Sequence, residues 1–323
     1  MKILSIFTDG HFGHRTELAK HAARALLGFD ILGSWGGLRD KRGGKLCLFS
    51  QWDRHGVIDD YVLHYLSRLS DHGFSIDLVS TSSHLEPESL RAALRICDRV
   101  ILRRNIGLDF GSWVDAVRSP GRLAGHERLL LANDSVFGPF HDFGPTFARM
   151  EEGESSLWGM TDNDEHAYHL QSYFLVMPRA TLRSKAFRSF WRRILPRTNK
   201  EEIIHHYEIG ISRSLLRAGG SVRAAFPSEQ ILGHARSMGD DFQYREELDS
   251  RKPLNVSLYA WDVLLRDFRA PLIKTDVFKR DLYRCRSLVH WPDMVPAESR
   301  HLVEVITRHL RRAHPDAEAL KYV

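Results

Sequence analysis

Four short polar segments of this chain each follow an apolar, strand-like run, and together they hold groups suited to phosphate and sugar chemistry. They are Ser50-Gln51-Trp52-Asp53, Ser80-Thr81-Ser82-Ser83, the stretch from Arg103 to Trp113, and Asn133-Asp134-Ser135. In the third, Gly107 and Gly111 permit close backbone approach, Arg103 and Arg104 bring fixed positive charge, and Asp109 offers an acceptor, a set that suits a nucleoside diphosphate. The plainer alternative is that Asp109 and Ser112 merely cap the following helix while the glycines turn the chain. Neither GxxxxGK nor GxGxxG occurs there. In the fourth, LLLANDSVFGPF, a carboxylate between two neutral oxygen donors can hold a hard divalent cation that shares phosphate oxygens. Asp134 is that carboxylate, with Asn133 and Ser135 as neighbours, and an Asx turn is the competing account. The serine-rich second segment reads equally as a cap ahead of Pro87.

Segments at strand ends matter only if a sheet presents them together. From Lys45 the chain alternates KLCLFS, the amphipathic DDYVLHYLSRLSDHG, SIDLVST, the helical PESLRAALRICD, VILRR, a short helix and LLLA. Such alternation specifies an α/β fold: a doubly wound, mostly parallel sheet with helices on both faces, binding ligands beyond the carboxyl ends of its strands. After Ala132 come shorter strands, LWGM and YFLVM, then helical stretches Ala180 to Leu195 and Glu201 to Arg217, predicting a mixed C-terminal half. The expected organisation is an N-terminal extension over 1–44, ending in the Gly-rich connector GSWGGLRDKRGG, a main domain over 45–285 and a helical tail over 286–323. The main domain divides into a nucleotide-binding half, about 45–135, and an acceptor half, about 136–285.

At 323 residues, 43% hydrophobic and 27% charged, the chain can bury a large core and keep a wetted surface, which excludes fibrous and disordered classes. Its +5 charge suits an anionic partner without choosing one. The three cysteines, Cys47, Cys97 and Cys285, are odd in number and widely spaced, and so read as thiols of a reducing compartment. No apolar run approaches about 20 residues and the opening MKILSIFTDG soon meets charge, so a cytoplasmic location is expected. Arg183, Arg188, Arg192 and Arg193 leave room for peripheral attachment at the inner face of the membrane. No helix-turn-helix, zinc-finger or ribonucleoprotein signature points to nucleic acid.

Over roughly Leu46 to Lys274 the sequence resembles the rhamnan synthesis protein F family. The carriers are FSQWD with VIDDYVLHYL, RRNIGLDFGSW, LLLANDSVFGPF, LWGMTDN with HLQSYFLVM, HYEIGISRSLLRAGG and WDVLLRDFRAPLIKTD. The resemblance implies a GT-A-like fold and a nucleotide-sugar-dependent glycosyltransferase of bacterial surface polysaccharide assembly. By the same comparison Arg104-Asn105-Ile106-Gly107 looks like the donor-nucleotide segment, Asn133-Asp134-Ser135 stands where a DxD motif sits, and Lys274 looks like a phosphate ligand. The stretch from Glu208 through Gly219-Gly220 looks like the segment that supplies a catalytic carboxylate.

Chemically, transfer needs a carboxylate to take the acceptor's proton and positive charge to settle the leaving diphosphate. Glu208 suits the first role, with Asp162, Asp164 and Glu165 as competitors, and Asp134 with a magnesium or manganese ion suits the second, aided by Arg103 or Arg104. Ser50 and Asp53 complete the donor-binding set. The expectation is an inverting enzyme moving rhamnose or another deoxyhexose from its nucleotide-linked donor to a surface polysaccharide or lipid-linked glycan. The alternative is a non-catalytic carbohydrate- or nucleotide-binding subunit of an assembly complex.

Overall fold

The computed structural model describes residues 30–37, 44–118, 121–153, 155–195, 197–250, 252–279 and 286–323. Most of the N-terminal extension, including the amphipathic segment from Glu17 to Leu27, lies outside these residues, as does Cys285. The strands are β1 (Ile31–Gly36), β2 (Lys45–Gln51), β3 (Phe74–Ser80), β4 (Arg99–Arg103), β5 (Arg128–Asn133), β6 (Val136–Phe137), β7 (Leu157–Asn163), β8 (His169–Leu170), β9 (Phe174–Pro178), β10 (Val222–Phe226) and β11 (Ile273–Lys274). The helices after β2, β3, β4 and β6 are α1 (Asp60–Asp71), α2 (Pro87–Leu94), α3 (Leu108–Arg118) and α4 (Gly144–Glu151).

The expected α/β architecture forms. The main sheet runs β1-β4-β3-β2-β5-β9-β7-β10. Strands β4, β3, β2 and β5 make the parallel block, while β9 enters antiparallel between β5 and β7, giving the mixed second half. Alternation along β2 explains why both faces are covered. Cys47 and Phe49 point into one core with Tyr61, Tyr65 and Leu66 of α1, and Leu46 and Leu48 into the other with Phe110 and Trp113 of α3. Cys47 and Cys97 are buried free thiols.

Two segments assigned by sequence to the ends of the chain belong to this one body. Residues 31–36 pair antiparallel with β4 as the sheet edge. The helix His301–Ala313 buries Leu302, Ile306 and Leu310, an i, i+4, i+8 stripe, in the first core. Arg312 on that helix donates to both Asp53 and Asp59, and His309 bonds Asp59 at 2.6 Å. Burial by itself lifts the two carboxyls, but the bonds from Arg312 to Asp53, and from His309 and Arg312 to Asp59, leave both below the ordinary range.

Arg312→Ala strands two largely buried carboxylates, and a loss of about 3 kcal/mol is expected at pH 7. Because both folded pKa values are depressed, the stabilisation is present above the unfolded value of about 3.9 and is lost as pH falls through the folded values. Thermal unfolding should therefore separate variant from wild type at pH 7 and bring the two progressively together as pH falls below about 4.

Candidate functional site

Strands β2, β3 and β4 are laid down outward in one direction, and β5 then crosses to the other side of β2. The reversal puts the topological switch point between the carboxyl ends of β2 and β5, where neighbouring loops part and leave a crevice. Ser50 pairs with Asn133 in the last step of that register, so two of the four polar segments meet there. The Asp134 amide donates to the Ser50 carbonyl at 3.2 Å, and Asp134 Oδ2 accepts from the Trp52 amide at 2.9 Å. Tyr61 Oη donates to the Asp134 carbonyl at 3.2 Å. Burial first, and the Asp109 charge with it, raise the Asp134 carboxyl to about 7 against the pull of the Trp52 amide and Lys279.

Asp109 stands on the first turn of α3 and joins the third segment to the other two. It accepts from Asn133 Nδ2 at 2.8 Å and is hydrogen-bonded by Ser50. Its carboxyl is raised, by burial first, with Glu208 adding to the rise and Lys200 opposing it. Ser50 Oγ also bonds Ser112 Oγ at 3.1 Å. Gly111 is required by a close approach, because a Cβ there would stand 2.0 Å from the Ile106 carbonyl oxygen. Gly107 turns the chain with φ +85°.

Glu208 ends a π-helical turn, Ile204–Glu208, between the helices Lys200–Ile203 and Ile209–Arg217. Its Oε1 accepts from the Ser172 amide at 2.7 Å, in the loop between β8 and β9, and its charge is felt at Asp109. The extra residue of a π turn rotates the side chain against its helical neighbours, a distortion common where a helix serves a site. Asp109, Asn133 and Asp134 thus gather at the strand ends, with Glu208 close enough for its charge to raise the Asp109 carboxyl. Lys274 is brought alongside: it sits opposite Val136 in the β6–β11 pair, Thr275 donates to the Ser135 carbonyl at 2.9 Å, and Lys274 Nζ lies 5.8 Å from the Tyr173 ring centre.

Other expected residues go elsewhere. Arg103 is 1% exposed and turned inward, donating to Asp115 at 2.9 Å and to the Ile106 carbonyl at 2.9 Å, so it props the loop. Its expected ligand role fails for that reason, and Arg104 and Asn105 are the exposed members of the segment. Asp53 is held by Arg312 and by the His55 and Val57 amides, which corrects its place in the donor-binding set. Asp162 accepts from the Ser228 amide at 2.6 Å, capping the helix Ser228–Ser237, and Asp164 lies exposed beyond β7.

The three expected metal donors are not aimed together. Ser135 donates to Asn133 Oδ1 through both its amide, at 3.1 Å, and its Oγ, at 2.5 Å, while Asn133 Nδ2 is spent on Asp109. Among the described residues no group of three or more His, Cys, Asp and Glu could hold a metal ion. Asp134 is thus the one carboxylate of the three, and a single carboxylate fits a magnesium-type ion only when phosphate oxygens complete the donor set.

Sequence reasoning missed Tyr61 and Ser172. Trp52, in the first of the polar segments, is 51% exposed, whereas Trp113, Phe137, Trp158 and Phe174 are all core. Among the described residues no helix is long and apolar enough to cross a membrane.

Comparison with known proteins adds a family. The model of a family described as rhamnan synthesis protein F matches residues 74–323. An uncharacterized protein, y4gN of Sinorhizobium fredii, is 26% identical over 215 residues, covering 64% of this chain and 56% of that protein. Virulence protein VirA of Vibrio anguillarum is 35% identical over 124 residues, 36% of this chain and 38% of its own. The chain therefore spans only about half, or less, of these relatives. Among solved structures, the glycosyltransferase GlyE of Streptococcus pneumoniae superposes with a TM-score of 0.38 at 10% identity, covering 82% of this chain and 64% of that one.

Proposed function

The chain belongs to the rhamnan synthesis protein F family, and from that premise we propose that it is a GT-A-like glycosyltransferase whose nucleotide-sugar donor binds at the β2/β5 switch point. One observation carries the reading: Asp134, its carboxyl raised to about 7 by burial and by Asp109, stands at the end of β5 in the crevice where such sheets take ligands. A stable fold gains nothing from clustering Asp134, Asp109 and Glu208. Charge held together against its own repulsion suits a ligand that brings hydroxyls or positive charge.

In this reading the exposed Trp52 stacks on the nucleobase, and the Arg104 to Gly107 loop, braced by Arg103, lines the nucleotide. Lys274 and Lys279 settle the charge that grows on the leaving diphosphate. A divalent cation held by Asp134 and the donor's own phosphates would supply further charge neutralisation there. Glu208, oriented by the Ser172 amide, takes the proton of the acceptor hydroxyl as it attacks the anomeric carbon from the face opposite the leaving group. That geometry inverts the anomeric centre. The preferred donor is a deoxyhexose such as rhamnose on a nucleoside diphosphate, the acceptor a surface glycan or its lipid-linked precursor, and the place of action the inner face of the cytoplasmic membrane.

A panel of nucleotide sugars should show release of one nucleoside diphosphate above background, greatest with a deoxyhexose donor and stimulated by a glycan acceptor. Protein that is folded yet releases none from any donor, with or without magnesium or manganese, counts against the enzyme and for a binding subunit.

A further inference from the structure

Tyr207, the neighbour of Glu208 in the π turn, lines a second cavity, of about 460 Å³, between the helices Lys185–Arg193 and Ile209–Arg217. Its wall carries Arg193, Arg197, Arg213, Arg217 and His206, and among the described residues no carboxylate lines it. Tyr207 is a fixed part of that wall, because its hydroxyl donates to the Leu195 carbonyl at 2.5 Å and accepts from the Leu195 amide at 3.0 Å. Arg197 is held in place by Glu202 and by Tyr207 Oη. Among the described residues Arg193, Arg213 and Arg217 enter no salt bridge, so three arginines line one concavity without a counter-charge. Gly210 falls one turn from both Tyr207 and Arg213 and leaves room there beside Phe190.

Four like charges around one hollow repel one another, and ordinary surface arginines relieve this by spreading apart or pairing with acids. Here Arg213 and Arg217, at i and i+4, lie on one helix face, and the anchoring of Arg197 holds a third arginine at the same hollow. Planar guanidinium forks match the oxygens of a phosphate group two at a time, and the volume accommodates a diphosphate. We infer that this cavity is an anion site for a phosphate or diphosphate ester, separate from the switch-point crevice. A membrane lipid headgroup and a soluble phosphate compound share that chemistry. The site does not depend on the glycosyltransferase reading.

The test uses the whole chain and two probes, inorganic pyrophosphate in titration calorimetry and vesicles of phosphatidylcholine with or without phosphatidic acid in co-sedimentation. The variant Arg213→Gln/Arg217→Gln should weaken pyrophosphate binding at this site at least about tenfold, since each charge-assisted contact is worth about that factor. Arg213→Lys/Arg217→Lys, which keeps charge and loses the forks, should fall between. Asp134→Asn should leave this binding unchanged, which separates it from the donor crevice. A surface control, Arg95→Gln/Arg236→Gln, removes the same net charge elsewhere, and unfolding curves check that every variant is folded. Sedimentation with phosphatidic acid vesicles, lost in the Gln variant and competed by pyrophosphate, identifies the lipid source. Pyrophosphate binding without vesicle binding identifies a soluble ligand. The inference is overturned if neither probe binds, if the Gln variant binds as well as wild type, or if the control pair weakens binding equally.

Discussion

Glu208→Gln is expected to lower sugar transfer by about 10² to 10⁴ while leaving donor-nucleotide affinity within about twofold of wild type. The separation follows from what glutamine keeps. Its carbonyl oxygen can accept the Ser172 amide in place of Oε1, so the side chain stays oriented, but it takes no proton from an attacking hydroxyl. Two of the competing carboxylates should behave differently. Asp162 accepts the Ser228 amide, a bond asparagine keeps, so Asp162→Asn should leave turnover close to wild type, while Asp162→Ala should cost about 1 kcal/mol of stability. Asp164 is exposed, and Asp164→Asn should be close to silent. Steady-state transfer beside nucleotide titration decides this. Full turnover in Glu208→Gln with the loss appearing in Asp162→Asn would move the base to the end of β7.

The second large effect runs against the usual direction of mutation. Asp134→Asn should make the protein more stable at pH 8 while impairing donor binding. The folded carboxyl titrates at about 7 and its unfolded counterpart near 3.9, so the folded state prefers the proton. Stability linked to this group is therefore fully present below about pH 4, falls as pH rises through 7, and stays low above. Asparagine resembles the protonated form and can still accept the Trp52 amide. The gap between folded and unfolded carboxyl sets an upper bound of about 4 kcal/mol, and partial exposure of the side chain reduces this to the order of 2 kcal/mol, or several degrees in Tm. Wild type and variant should coincide near pH 4 and diverge at pH 8. A carboxylate kept for structure would give the reverse, a variant less stable at pH 8. Stabilisation on removal marks a group retained for what it binds.

Much of this arrangement is written in local pattern. Apolar runs ending in Ser50 to Asp53, Arg103 to Gly111 and Asn133 to Ser135 announce strand ends, and β–α alternation obliges them to share one edge. What stays hidden depends on partners far away in the chain. Arg103 beside Arg104 looks like a doublet of ligands, and only the fold shows Asp30 and Asp115 drawing Arg103 inward. Asp53 looks free until a helix some 250 residues later supplies Arg312. The stretch from Glu201 to Arg217 reads as one continuous helix, yet the π turn over Ile204–Glu208 shifts its register, so spacing alone sets Glu208 against Ile204 and Ile211 rather than against Ser172. The segment Ala180 to Leu195 is likewise two helices, because Ser184 accepts the Phe187 amide and starts a new one. Two-residue strands such as β6 and β11 carry no periodic signal at all, although their pairing is what brings Lys274 to the crevice.

Everything proposed for the enzyme rests on the β2/β5 crevice binding the donor's nucleoside diphosphate. The decisive experiment is calorimetric titration of dTDP, UDP, GDP and CMP, each with and without manganese, into wild type and Asp134→Asn. One nucleoside diphosphate should bind wild type, manganese should strengthen its binding, and the variant should lose the manganese-dependent gain while remaining folded. Binding of no nucleotide by folded wild type, or binding that is the same in Asp134→Asn with and without the metal, would contradict it.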